Sequence, residues 1–196
     1  MFDPIHDATP RHMQLGEGLL LANVDLDAIL AAEDPAQAAA DLASQDAHLL
    51  GATQAGSQFR AAPELLHTEE RGLRTPAAGQ VLSSRWTATL SGTLLEISPR
   101  NAARLLNLLM YSQSGSRSTI APIGHRQPAP LNSLCWIGDL GGGLMAIELV
   151  CPISTGGVHF TAGYHGTGAM PFTFMAQQRS PADTSLPFRM LWLREG

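Results

Sequence analysis

There is no lysine in the 196 residues; all twelve basic residues are arginine. Charge of either sign is scarce, at 15% of the chain against 44% hydrophobic residues. The seventeen acids leave a formal net charge of −5. That balance argues against nonspecific nucleic-acid binding through a basic face, but not against a passage that repels DNA. So little charge fits a chain that hides much of its surface in an assembly. Arginine without lysine suits bidentate contacts at interfaces, while a genome-wide bias toward Ala, Gly and Arg is the simpler source of it. Cysteine is also rare. Cys135 and Cys151 are the only two, and they read as buried reduced thiols rather than a disulfide.

Other absences exclude function classes. No apolar run approaches the roughly 18 residues of a membrane span. The opening MFDPIHDATPRH lacks the apolar core of a signal peptide. There is no P-loop, and no G-x-G-x-x-G between a strand and a helix. A nucleophile elbow is missing too: Ser114-Gly115-Ser116 lies in a loop, and Gly141 to Gly143 in a turn between strands. Glu69, Glu70, Arg71 and Arg74 read as a charged loop rather than an acid/base pair. His159 and His165 stand six positions apart, without a further Cys, His or carboxylate at ligand spacing. The sequence therefore implies no enzyme, no cofactor and no metal. A small β-sandwich metal- or ligand-binding module using His159 and His165 is the alternative. A carbohydrate- or protein-binding sandwich would need exposed aromatics, whereas Trp86, Trp136 and Trp192 all sit in strand patterns and read as core.

What is present is a succession of strands. Residues 1–14 read as an N-terminal arm and residues 15–196 as one β domain. Leu19 to Val24 reads as a first buried strand. Asp34-Pro35 is an N-cap and N1 pair that starts a helix over Ala36 to Ala47, inside an alanine-rich stretch from Ala31 to His48. Gly56-Ser57 marks a turn or bulge before an extended run through Glu69. The Gly- and Pro-rich loop 71–79 then joins this run to a long strand, giving a hairpin whose tip projects. In the long strand Trp86, Ala88 and Leu90 alternate with Thr87, Thr89 and Ser91. The parity then shifts to Leu95 and Ile97, which places a bulge or close backbone contact at Gly92 and predicts burial on both faces beyond it. Ser98-Pro99 caps a helix over about 99–110, with Ala102, Leu105, Leu106 and Leu109 as its packing face. Residues 112–130 read as a long loop. Further strands are expected at Asn132 to Ile137, Leu144 to Val150, Gly157 to Gly163, Met170 to Gln177 and Pro187 to Leu193. Strands at this spacing with Gly-rich turns indicate a sandwich or barrel.

The stretch LGATQAGSQFRAAPELLHTEERGLRTPAAGQVLSSRWTATLSGTLLEISPRNAARLL resembles bacteriophage tail tube proteins, the major tail proteins. Trp136 to Leu149 resembles that family's strand pair, and HGTGAMPFTFMAQQRSPADTSLPFRMLWL its terminal hairpin; the cover is about three quarters of the chain. The insertion from Ala31 to His48 and the longer loop from Ser112 to Pro130 depart from the family pattern. The resemblance implies an all-β subunit with one flanking α-helix, a β-sandwich or partly open barrel with a long projecting hairpin. It implies homo-oligomeric, hexameric rings that stack into a hollow tube through which DNA passes without specific binding. A ring-stacking loop at Arg71, Gly72, Leu73, Arg74, Thr75 and Pro76 goes with it. So do a net negative inner wall and partners such as tape measure, tail terminator and distal tail proteins. The implied location is the virion tail, after assembly in the host cytoplasm and without a membrane.

Overall fold

The computed structural model describes residues 17–45, 48–54, 56–67, 81–95, 98–105, 109–122, 131–139, 143–157, 159, 169–180 and 182–194. Among the described residues the chain is all-β with three short helices. The order is β1 (Gly18–Ala22), α1 (Leu26–Leu30), α2 (Pro35–Ala43), β2 (Leu49–Thr53), β3 (Gln58–His67) and β4 (Val81–Leu94). Then come α3 (Pro99–Leu105), β5 (Leu109–Ser114), β6 (Arg117–Pro122), β7 (Ser133–Asp139) and β8 (Gly143–Val150), followed by β9 (Ile153–Ser154), β10 (Met170–Met175) and β11 (Phe188–Arg194). The first arm and the 71–79 loop lie outside the described residues, as do Ile97 and His165.

Nine strands form one antiparallel system in the order β11-β8-β7-β1-β2-β4-β10-β9, with β3 also on β4; no closed barrel forms among the described residues. The system bends at one corner. β2 meets β4 through the single pair Thr53 and Leu94, flanked by Gln54 N–H to Thr93 O and Leu95 N–H to Ala52 O. Gly56, at φ 102, then redirects the chain into β3, a conformation that glycine adopts without steric penalty. The two halves of the sheet fold over one core. Leu20, Leu134 and Ile147 come from one half, Leu90 and Phe174 from the other, and Leu105 from α3.

Trp136 fills the corner of this core. Its indole lies over Gly18 and Gly138, where an added Cβ would stand 2.4 and 2.5 Å from the ring. Its Nε1 donates to Thr53 Oγ1 at 3.0 Å, and that hydroxyl donates to Gly18 O at 3.0 Å. One buried hydroxyl thus accepts from the indole N–H, which burial would otherwise leave unpaired, and donates to the backbone of β1.

A second cluster covers the other face of β1, β7 and β8. Leu26 and Ile29 of α1 pack on Leu21, Cys135, Ile137 and Ala146, with Leu42 of α2 against them. The stretch from Ala31 to His48, unplaced by sequence, is therefore the outer layer of that half. Asp25 caps α1 through Asp27 N–H at 3.0 Å, and Asp34 caps α2 through Gln37 N–H at 3.0 Å. The expected helix at Ala36 to Ala47 is present but ends at Ala43.

Several expectations are corrected. Among the described residues there are three helices where the resemblance implied one. The helix after Ser98 is capped as read, with Asn101 N–H on Ser98 Oγ at 3.1 Å, and Ala102 and Leu105 are buried. It ends at Leu105, however, and the chain resumes as β5 from Leu109. The loop read at 112–130 contains the β5–β6 hairpin. Gly115 at φ 58 supplies the first central position of a type II′ turn, which serine-rich flanks conceal from a pattern reading. The parity shift at Gly92 does not occur. Ala88, Leu90 and Leu94 stay buried on one face while Leu95 is exposed. Gly92 instead permits close approach, since a Cβ there would stand 2.6 Å from Ser57 Oγ and 2.9 Å from Phe172. The bulge in this hairpin falls between Glu64 and Leu65. The strand expected at Gly157 to Gly163 lies outside the described residues except for Gly157 and His159; a short strand, β9, precedes it at Ile153–Ser154. Cys135 is buried, but Cys151 is only partly so.

Thr53→Val is expected to destabilise the fold by about 1–3 kcal/mol, because it orphans the Trp136 N–H. Gly138→Ala is expected to lose about 1–3 kcal/mol by overpacking against the indole. Urea unfolding midpoints at constant slope check both.

Candidate functional site

Alternation within the sheet places three features at the surface: an edge strand at β11, a two-stranded arm at β3–β4, and an ion-paired recess. In β11 odd residues bond to β8, as Val150 N–H to Pro187 O shows. The main-chain groups of Phe188, Met190 and Trp192 therefore point to the free edge. Their side chains share the core face with Leu149, Ile147 and Met145. Phe188 is covered, with its ring 5.5 Å from Phe59 and 5.8 Å from Trp86. Met190 and Trp192 are not, at 51% and 61% exposed. The opposite half of the sheet stops short of them, so a strip of inner face stands open.

The arm is the second feature. β10 pairs with β4 only from Leu94 to Thr89; below that β4 pairs with β3 alone, to Val81. Leu65 and Leu66 are 49% and 53% exposed there, and Trp86 37%. Arg85 and Glu64 pair across the arm. The reading of Trp86 and Trp192 as core is thus overturned; only Trp136 is buried. Both exposed tryptophans follow a buried-face pattern. Alternation fixes which face a side chain is on, but not whether another layer reaches it. The outer edge of β3 carries Pro63, which has no N–H to offer a neighbour; β11 has no such guard.

The outward face of β3, β4 and β10 bears Thr87, Thr89, Ser91, Thr93 and Thr173, with Arg60, Glu64 and Arg85 as its charged residues. Two arginines against one glutamate give no acidic surface, so the expected negative wall does not come from this face.

The third feature joins layers. Arg189 of β11 donates through Nε to Glu148 Oε2 at 2.6 Å, and through Nη1 to Asp27 of α1 at 2.8 and 3.0 Å. Glu148 is buried and lies opposite Cys135. Burial pushes the Cys135 thiol up to about 12, with the Glu148 carboxylate adding to the rise and Arg189 opposing it. The recess beside them, of about 410 Å³, is lined by Asn23, Asp25, Asn132, Ser133 and Arg179 together with the pair. Arg189 bridges the buried Glu148 carboxylate and Asp27 of α1, which makes this a staple between α1 and the sheet. Sequence reading missed it because its members are 162 and 41 positions apart.

His159 is exposed, and His165 lies outside the described residues, as do Leu106 and the loop from Arg71 to Pro76. Leu109 opens β5 rather than extending the helix face. Among the described residues no three His, Cys, Asp or Glu side chains come together as a metal site, and no helix is long and apolar enough to cross a membrane.

Arg189→Ala is expected to destabilise by about 2–3 kcal/mol by stranding the buried Glu148 carboxylate. The exposed partner change Arg85→Ala should cost less than about 1 kcal/mol. Alkylation of native protein at pH 8 is expected to label Cys151 and spare Cys135, with both labelled after unfolding. Peptide mass mapping reads the difference.

Comparison of the sequence with protein-family models and with curated proteins finds no match.

Proposed function

We propose that this chain is a structural, self-assembling subunit of the tail tube type, forming hexameric rings that stack into a hollow conduit for DNA. The observation that carries the reading is the β11 edge. The main-chain donors and acceptors of Phe188, Met190 and Trp192 face outward with no proline inside the strand, and its exposed side chains on the core face are Met190 and Trp192. Such an edge is a template for pairing with another chain, and tryptophan and methionine are enriched where interfaces form. β11 closes one end of the sheet path while β9 closes the other. A contact between two unlike edges of identical chains is heterologous, and its repetition gives a ring where the rotation between copies closes. The low charge content agrees with extensive burial between copies. In this reading the hydroxyl-lined face of β4 is the candidate inner wall, with the Arg85–Glu64 pair neutralised and Arg60 as its remaining charge. The loop from Arg71 to Pro76 remains the proposed contact between rings. Tape measure, terminator and distal tail proteins are the proposed partners, in a virion tail assembled in the host cytoplasm. No enzymatic step is part of the proposal.

The exposure of Trp86 and Trp192 also favours a second reading, a sandwich that binds a carbohydrate or a foreign protein. The two separate on self-association. Trp192→Glu places a charge on the open strip without touching a buried group. Negative-stain images of concentrated wild-type protein should show rings or tubes. The variant should keep the wild-type circular dichroism spectrum and show neither. A wild-type protein that stays monomeric at millimolar concentration would refute the tube reading.

A further inference from the structure

Among the described residues one side of β4 lacks a partner strand below Ala88. β10 runs beside β4 until Ala176 N–H reaches Ala88 O at 2.9 Å; Gln177 N–H then bonds to Val150 O at 3.0 Å, and the chain crosses to the other half. β4 continues from Thr87 to Val81 with β3 on one side and no described strand on the other. Main-chain direction alternates along a strand, and Ala88 points to the β10 side, so Trp86 points there too. Its N–H and C=O open into a groove of about 410 Å³ walled by Arg85, Trp86, Gln178, Leu186 and Pro187. Leu186 is 50% exposed along it. Residues 184–187 form its far wall.

We propose that this gap accepts the N-terminal segment, residues 1–16, of a neighbouring copy as an added strand. The inference rests on the self-assembling reading. Sixteen residues precede the described structure, and at about 3.3 Å each they reach roughly 50 Å. Pro4 and Pro10 favour extended over helical backbone. Between them lie Ile5 to Thr9, five residues with both donors and acceptors, a length comparable to the open edge of β4. The described chain begins at the end of the sheet away from its own groove: Gly18 pairs with Gly138 at the C-terminal end of β7, whereas Pro187 of the groove bonds to Val150, which pairs with Ser133 at the N-terminal end. The groove of a neighbour is the proposed site, and the adducts below distinguish it from the chain's own.

The test uses the full-length chain with a benzophenone amino acid in place of Ile5, mixed with isotope-labelled chain at an assembling concentration and irradiated. The inference expects mixed-isotope adducts on residues 84–86 or 178–187, and their loss in Leu186→Arg, whose site is exposed. Adducts within one chain, or assemblies whose adducts map elsewhere, overturn it while leaving the tube reading standing. Absence of assembly overturns both.

Discussion

The fold turns on the hydroxyl of Thr53. Its backbone pairs with Leu94 at the one point where the two halves of the sheet join, and its side chain ties Trp136 to the carbonyl of Gly18. A net hydrogen bond contributes only about 1 kcal/mol, but a buried polar group left without one costs more. This corner contains three such groups in contact with the largest side chain of the core. Fixing them fixes the angle between the halves, and with it how far one half reaches over the other. The coverage of Phe188 and the exposure of Met190 and Trp192 follow from that angle.

The same geometry distributes the free edges. β3 presents an outer edge interrupted by Pro63, which discourages addition there. β11 presents an unguarded edge with open apolar side chains, and β4 presents a gap where β10 departs. A monomer with both features would be prone to association at any concentration. An assembly that uses them turns the same features into interfaces. The ion pairs of Arg189 to Glu148 and Asp27 hold β11 to the body from the opposite face, so the edge is a supported strand rather than a fraying one.

Local signals were legible in the sequence wherever one residue type decides the outcome. The caps at Asp34 and Ser98 read correctly, because a short acceptor before proline has few other uses. The strands β7, β8, β10 and β11 also read correctly; in β10, Phe172, Phe174 and Ala176 mark the buried face by alternation. The β5–β6 hairpin was hidden because its serines, glutamine and arginine carry no burial pattern. It packs through Ile120 and otherwise faces solvent. The shift at Gly92 was misread because Leu95 is apolar and exposed, and alternation reports face rather than cover. The candidate site was the least legible part for the same reason. Trp192 and Trp136 look alike in a strand pattern, and only the position of the other sheet half distinguishes them. The staple of Asp27, Glu148 and Arg189 leaves no trace at all, being a meeting of distant chain positions.

The central claim is that β11 is an assembly edge, and amide hydrogen exchange across a concentration series tests it most directly. The amides of Arg189 and Leu191 bond to β8, whereas those of Met190 and Trp192 face outward. The account predicts slow exchange for the first pair throughout, and exchange for the second pair that slows as concentration rises into the assembling range. Outward amides that exchange equally fast at every concentration, in a sample whose inner pair stays protected, would contradict it.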